Sequence, residues 1–141
     1  MPIQNLGPRA AHDAMTKDKS HVFVDVRTPE EYDQGHPAGA VNVPWALLDP
    51  ASGQMAHNPA FLSTMRKHYE PATKLYVSCQ SGMRSMNACR ELQEAGFQSL
   101  VNVDAGFGGK RDPMGNLAAP GWRDAGLPVE TSRSTWMQLK A

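Results

Sequence analysis

Short apolar runs alternate along this chain with stretches of helical pattern, and this alternation limits the possible folds more than any other feature. The apolar runs cover residues 22–24, 40–43, 75–77 and 100–103. Runs this short, separated by helical stretches, are typical of buried strands in a parallel sheet that is covered by helices. The sequence therefore predicts an α/β fold.

Helices are expected in four segments between and before these strands. The segments are 9–19, a stretch that opens at Thr28, 58–68 and 83–95. Thr28 can cap its helix, Pro29 suits the first helical position, and Glu31 can complete a capping box. Gly96 is expected to stop the last helix.

The remainder of the chain has weaker patterns. Glycine and proline dominate residues 106–128, which predicts long surface loops with room for one helical turn. In the segment 131–141, Trp136 and Leu139 could either dock on the body of the protein or fray. We expect a single domain over 1–141, with its core at about 8–130 and 131–141 as a C-terminal tail.

Composition argues against several classes of partner. The 14 lysines and arginines cancel the 14 aspartates and glutamates, so no overall field attracts nucleic acid or anionic lipid. Any preference for anions must come from a local site. No run approaches the roughly 18 apolar residues that a membrane-spanning helix needs, and the N-terminus lacks the pattern of a secretory signal. We therefore expect a cytoplasmic protein without nucleic-acid or membrane partners.

The two cysteines, Cys79 and Cys89, are expected to act separately. Without a CxxC pair, neither a disulfide framework nor a cysteine-built zinc site is expected. The histidines show no spacing typical of a metal site. Cys89 shares a predicted helix face with Ala88 and Leu92, so we interpret it as a core residue.

The segment 78–85, which reads Ser-Cys-Gln-Ser-Gly-Met-Arg-Ser, is where chemistry is expected. It joins a buried strand to a helix and so lies at the carboxyl end of the sheet, where open α/β folds bind ligands. Gly82 can let the free N–H groups at the helix start form an anion-binding nest. Such a nest favours a Cys79 thiolate and can hold a transferring sulfur anion. The alternative is that Cys79 is a small buried hydrophobic residue.

Arg84 breaks a local rule beside this cysteine. The first turn of a helix favours acidic residues because of the helix macrodipole, and broken local rules are expected at functional sites. Two interpretations stay open for Arg84 at this point: a functional cation, or a surface arginine paired with a carboxylate.

The same segment resembles the active-site loop of the rhodanese family, often written C-x-x-G-x-R-S. Cys79, Gly82, Arg84 and Ser85 match it position by position. Other segments resemble further family motifs in the same order along the chain; they are 24–27, 35–44, 121–122 and 126–129. One departure is Pro37, which replaces the usual isoleucine of the G-H-I-P-G-A-x-N-x-P signature.

The resemblance implies a rhodanese-like sheet of about five parallel strands with helices on both faces, and a sulfurtransferase that needs no cofactor or metal. Cys79 would take sulfur from a sulfane donor such as thiosulfate and pass the resulting persulfide sulfur to a thiol, cyanide or protein acceptor. Arg84 would attract the anionic donor. The residues implied to bind the substrate are Gln80, Ser81, Gly82, Met83 and Ser85. Both a monomer and a homodimer stay open.

Three other functions compete with that of a sulfurtransferase. A dual-specificity phosphatase loop places its arginine six positions after the cysteine, whereas Arg84 is five after Cys79; the shorter loop suits a single sulfur atom better. A non-catalytic partner-binding module has no need for an intact cysteine loop. A dedicated persulfide carrier needs the same loop as the enzyme, so the sequence does not separate the two.

For several charged and histidine side chains outside the loop, a structural role is an alternative to a catalytic one. Arg27 and Glu31 are four residues apart beside a capped helix, which predicts a structural ion pair at the strand end. His36 is expected to bond the local backbone. Lys110 and Arg111 lie in a stretch longer than the family's usual passage; they could overhang the site and select an anionic donor or protein partner, or be solvated loop charges.

Overall fold

The computed structural model describes residues 2–141 and contains five helices and eleven strands in that part of the chain. In chain order they are β1 Gln4–Leu6, α1 Pro8–Lys17, β2 Val22–Asp25, α2 Pro29–Gln34, β3 His36–Pro37, β4 Val41–Asn42, β5 Ala46–Leu48, β6 Met55–His57, α3 Phe61–His68, β7 Lys74–Ser78, α4 Met83–Glu94, β8 Ser99–Val103, β9 Lys110–Arg111, β10 Leu117–Ala119, β11 Val129–Glu130 and α5 Trp136–Leu139.

A five-stranded parallel sheet organises the molecule, with strand order β1-β8-β7-β2-β4. Four of its strands are those predicted from the apolar runs, and the α/β prediction is confirmed. The fifth, β1, pairs with β8 at the sheet edge and was not predicted. Its three residues, Gln-Asn-Leu, form no apolar run. They become a strand because the edge of β8 is available for pairing.

Helices cover both faces of the sheet, as expected. On one face α3 and α4 pack through the buried side chains of Phe61, Met65 and Leu92. On the other face α1 contributes Ala11 and Met15 to a second buried cluster. Full burial of each large apolar side chain contributes about 1.5–3 kcal/mol, so the two clusters together stabilise the sheet from both sides.

The helix boundaries follow local capping. The predicted capping box of α2 is present, with Thr28 Oγ accepting from the Glu31 N–H and Glu31 accepting from the Thr28 N–H. Helix α1 ends at Lys17 rather than 19, because Asp18 is already extended. Helix α3 begins at Phe61 rather than 58, because Asn58 forms a turn in which its side chain accepts from the Ala60 N–H.

The prediction of surface loops for residues 106–128 is wrong in part. The strands β9 and β10 form an antiparallel hairpin there, and Phe107, Trp122 and Leu127 are buried in the second cluster. Glycine is needed for this packing: a Cβ on Gly109 would lie 2.6 Å from the Ala119 carbonyl oxygen. The glycines therefore allow close backbone contact instead of a solvated loop.

The C-terminal segment docks rather than frays at Trp136, which is buried in the first cluster. Ser134 fixes its approach, since its backbone N–H donates to Asp33 Oδ1 at 2.7 Å and its hydroxyl donates to Asn42 Oδ1 at 2.7 Å. Among the described helices, none is long and apolar enough to cross a bilayer.

Candidate sulfur-transfer site

The loop that joins β7 to α4 lies at the carboxyl end of the sheet, as predicted, and positions Cys79. The Cys79 side chain is nearly enclosed, with 1% exposure. Its Sγ accepts a hydrogen bond from the Gly82 N–H at 3.1 Å. Gly82 takes a left-handed conformation at φ 103°, which favours glycine and turns its N–H toward the sulfur.

A chain of hydrogen bonds leads from the sulfur back into the sheet. Cys79 Sγ lies 3.3 Å from Ser85 Oγ, and the Ser85 hydroxyl donates to Asn102 Oδ1 at 2.5 Å. The Asn102 amide then donates to Asn5 Oδ1 at 3.0 Å. Because Asn102 lies on β8 and Asn5 on β1, two strands hold the serine that contacts the sulfur.

The backbone of residues 105–108 holds the loop from outside. The Phe107 N–H donates to the Cys79 carbonyl and the Gly108 N–H to the Gln80 carbonyl, both at 2.8 Å. Ala105 precedes this contact at φ 69°, a left-handed conformation that costs a residue with a Cβ about 1–3 kcal/mol. The loop therefore has a fixed backbone on which the N–H of Gly82 is already oriented.

Arg84 is engaged by a carboxylate from another helix. Its Nη1 donates to Glu31 Oε1 at 2.7 Å and its Nη2 to Glu31 Oε2 at 3.0 Å, a two-pronged ion pair. The structure thus pairs Arg84 with a carboxylate, and its role as a functional cation stays a prediction. The hydrogen bonds that Arg84 donates to Glu31 raise the pKa of Arg84. Burial alone would raise the pKa of Glu31, but the hydrogen bonds from Arg84 and from the Thr28 N–H, together with the charges of Arg84 and Arg27, hold that pKa below 4.5.

The predicted ion pair between Arg27 and Glu31 is wrong. Arg27 instead pairs with Asp25, with Nη2 donating to Oδ2 at 2.8 Å and to the Gly35 carbonyl at 2.7 Å. Asp25 is only two residues away and buried with Arg27 at the strand end, so it satisfies the guanidinium before Glu31 can. Glu31 is thereby left for Arg84.

The remaining predicted site residues separate into two groups. Gln80 turns toward the buried side, where its side chain accepts from Arg27 Nη1 at 3.4 Å. Ser81 and Met83 are exposed, and the Met83 side chain is 72% exposed. One backbone N–H of the loop, that of Gly82, donates to the sulfur within residues 2–141.

Cys89 and His36 behave as interpreted from the sequence. Cys89 is completely buried among apolar side chains of the first cluster, and burial raises its pKa to about 12. Both cysteines are free thiols. His36 is buried, and its Nδ1 bonds the Tyr32 carbonyl at 2.8 Å.

Comparison with known proteins identifies the family. The family model described as "Rhodanese-like domain" matches residues 8–109. The chain belongs to the rhodanese-like domain family. It is 38% identical over 120 residues to "Thiosulfate sulfurtransferase 16, chloroplastic" from Arabidopsis thaliana, covering 85% of this chain and 87% of that protein.

One further relative and one solved structure are similar to this rhodanese-like chain. It is 36% identical over 107 residues to "Senescence-associated protein DIN1" from Raphanus sativus, but 76% of this chain then spans only 51% of that protein. A crystal structure of Rv0390 from M. tuberculosis superposes with a TM-score of 0.76 at 31% identity, covering 94% of this chain and 100% of that one. The crystal structure supports the rhodanese fold, and the relative named as a thiosulfate sulfurtransferase supports a sulfurtransferase family.

Sequence reasoning missed three residues around the rhodanese loop: Asn5, Glu31 in its contact with Arg84, and Asn102. A signal was present for Asn102, because an amide inside the apolar run 100–103 needs a buried partner. Asn5 carried no signal, since its strand was not recognised. Glu31 was predicted to complete a helix cap and to pair with Arg27, and its contact with Arg84 was not predicted.

Proposed function

We propose that this rhodanese-like protein is a sulfurtransferase that carries a sulfane sulfur as a persulfide on Cys79 and passes it to a nucleophilic acceptor. The observation that carries the proposal is the Gly82 N–H directed at Cys79 Sγ at 3.1 Å. A fixed backbone donor stabilises negative charge on sulfur without any reorganisation during the reaction. The family and the relative named as a thiosulfate sulfurtransferase support the same conclusion.

With thiosulfate as donor, the cycle balances without a cofactor. The Cys79 thiolate attacks the outer sulfur of thiosulfate, the sulfur–sulfur bond of the donor breaks, and sulfite leaves with the electron pair. An acceptor nucleophile then attacks the outer sulfur of the persulfide, and the Cys79 thiolate is released. In both steps the Cys79 sulfur gains or loses negative charge, and the Gly82 N–H is placed to stabilise that charge.

Arg84 is proposed to attract the anionic donor, and its ion pair with Glu31 weakens that attraction. A donor anion must compete with the Glu31 carboxylate, which already occupies both prongs of the guanidinium. Small inorganic anions are therefore expected to be weaker donors than the intact loop alone would suggest. This feature also favours slow turnover with thiosulfate, which is how a dedicated persulfide carrier would behave.

The decisive experiment is intact-mass spectrometry after incubation with thiosulfate. We expect the wild-type protein to gain the mass of one sulfur atom, and cyanide to remove it. Cys79→Ser should gain nothing, whereas Cys89→Ala is the matched control and should gain the same mass as the wild type. Absence of an adduct from thiosulfate and from a persulfide donor would contradict the proposal.

A further inference from the structure

A large open cavity lies beside the Cys79 loop and is not used by the chemistry proposed for Cys79 itself. Its volume is about 900 Å³, and its lining includes Gly82 and Met83 of the loop, Arg90 of α4, and Lys110 and Arg111 of β9. Cavities of roughly 300–1,000 Å³ hold ligands of drug size. Thiosulfate is far smaller than such ligands, so the cavity suits a larger molecule.

Positive charge prevails in this cavity although the chain as a whole is neutral. Three cationic side chains and one carboxylate line it. The carboxylate, Asp104, pairs with Lys110 at 2.6 Å. Within residues 2–141, Arg90 and Arg111 have no carboxylate within ion-pair distance. Two unpaired guanidinium groups from separate elements, α4 and the β9–β10 hairpin, thus line one cavity.

The cavity adjoins the Cys79 loop through a residue that also contacts the sulfur. Gly82 lines the cavity, and its N–H donates to Cys79 Sγ. Met83 and Met86 contribute flexible apolar surface at the same wall, which can adapt to the carbon skeleton of a ligand. A molecule held here by its anionic groups lies next to the loop that would carry the persulfide.

We propose that this cavity binds the carboxylates of a low-molecular-weight thiol that accepts the sulfur from Cys79. The inference rests on the proposed function. Arg90 and Arg111 hold the carboxylates, since guanidinium groups match carboxylate geometry in pairs of hydrogen bonds. The acceptor thiol loses its proton to solvent, and its thiolate attacks the outer persulfide sulfur. The bond between the two persulfide sulfurs breaks, Cys79 leaves as thiolate, and the acceptor leaves as a persulfide.

The test compares two acceptor thiols that differ in charge. Mercaptosuccinate carries two carboxylates, and 2-mercaptoethanol carries none. We expect the double variant Arg90→Gln with Arg111→Gln to lower kcat/KM for mercaptosuccinate about tenfold, through KM, because two exposed ionic contacts are lost. The value for 2-mercaptoethanol should change less than about twofold. Because each thiol is compared with itself, differences in intrinsic reactivity cancel.

The matched control is Arg66→Gln with Arg133→Gln, two exposed arginines outside the cavity lining, which should alter neither acceptor. Equal changes for both thiols, or no change for either, would overturn the acceptor site. Loading of Cys79 from thiosulfate, followed by mass, should be unaffected by the Arg90 and Arg111 changes.

A binding measurement separates failure of the site from failure of the proposed function. Succinate has the carboxylates but no thiol, and its binding to the Cys79→Ser protein is followed by NMR chemical shifts. Binding that weakens in the double variant supports the carboxylate site even before any sulfur is transferred. Loss of Cys79 loading with succinate binding intact would sink the sulfur-transfer role, and the acceptor role of the cavity with it, but would leave a carboxylate-binding site. Intact loading without succinate binding would sink this inference alone.

Discussion

Cys79 and Cys89 are both buried thiols at helix α4, but the first has polar groups around its sulfur and the second has apolar side chains. Cys79, just before the helix, contacts the Gly82 N–H and the Ser85 hydroxyl. Cys89, two turns into the helix, is packed among apolar side chains, and burial raises its pKa to about 12. Burial therefore does not decide the chemistry of a cysteine; the polar groups directed at its sulfur do.

The largest expected effect is that replacing Cys79 abolishes activity, whereas replacing Cys89 lowers only stability. Cys79→Ala should reduce sulfur transfer by at least about a thousandfold, since the nucleophile is lost, with little effect on stability. Cys89→Ala should keep the activity and lower the free energy of unfolding by about 1 kcal/mol, because it leaves a small cavity in the core. Thiosulfate turnover and urea unfolding measure the two properties. Activity loss in Cys89→Ala with a stable fold would break the comparison.

The next effect concerns the backbone donor to Cys79. Gly82→Ala forces a Cβ into a left-handed position, 3.3 Å from the Ala105 nitrogen, and should displace the N–H from the sulfur. We expect turnover to fall by about a hundredfold, the size expected for loss of one oriented donor. Single-turnover loading of Cys79 by thiosulfate is the measurement.

Gly115→Ala provides the matched control for this prediction. Gly115 is also left-handed, at φ 85°, but nothing lies within 4 Å of a Cβ there. The two variants should therefore suffer similar backbone strain, and only Gly82→Ala should lose activity. Equal activity losses would mean that strain, and not the N–H at the sulfur, is responsible.

A smaller effect is expected from the hydroxyl that contacts the sulfur. Ser85→Ala removes the group between Cys79 and Asn102, so turnover should fall about tenfold. The Asn102 carbonyl would also lose its buried partner, which costs about 1–3 kcal/mol of stability. Ser85→Thr, which keeps the hydroxyl, should recover part of the activity. Unchanged turnover in a well-folded Ser85→Ala protein would show that the sulfur does not need this contact.

The smallest effect is the pH dependence of the ion pair at the loop end of α4. The pKa of Glu31 is held below 4.5 in the folded protein, so its pairing stabilises the fold above that pH and is lost as pH falls through the lowered value. Glu31→Gln should cost at most about 1 kcal/mol at pH 7, because the side chain is partly exposed. The difference from wild type should shrink below pH 4.5.

Urea unfolding at several pH values checks this, with Glu30→Gln as the control. Glu30 is an exposed neighbour in the same helix turn, outside the ion pair with Arg84. A stability difference for Glu31→Gln that does not shrink toward acid pH would show that Glu31 acts through packing and not through its charge.

The sequence was sufficient for four of the five strands of the sheet and for the position of the Cys79 loop, because both depend on local patterns. Each central strand is a short apolar run, and the loop is a continuous motif around Cys79 and Gly82. The partner of Arg84 could not be predicted in the same way. Spacing favoured Arg27 for Glu31, but Arg84 lies 53 residues away and reaches Glu31 only after the strands pair.

The two asparagines that hold Ser85 could not be predicted either, because they also meet only in the folded sheet. Asn5 lies 97 residues from Asn102 and meets it only because β1 pairs with β8. The buried packing of Phe107 and Trp122 likewise depends on backbone contacts among glycines that composition alone presents as flexible. Long-range partners chosen by the assembled sheet, rather than by spacing along the chain, account for these misses.

A fluorescent protein or affinity tag fused to the C-terminus would pull on a segment that is anchored in the body of the protein. Trp136 is buried, and Ser134 bonds Asn42, whose amide in turn donates to the carbonyls of Asp25 and Arg27. A bulky fusion that unseats Trp136 would loosen the backbone that positions Arg27. Low activity of such a fusion would then report a displaced anchor and not a defect in the sulfur chemistry.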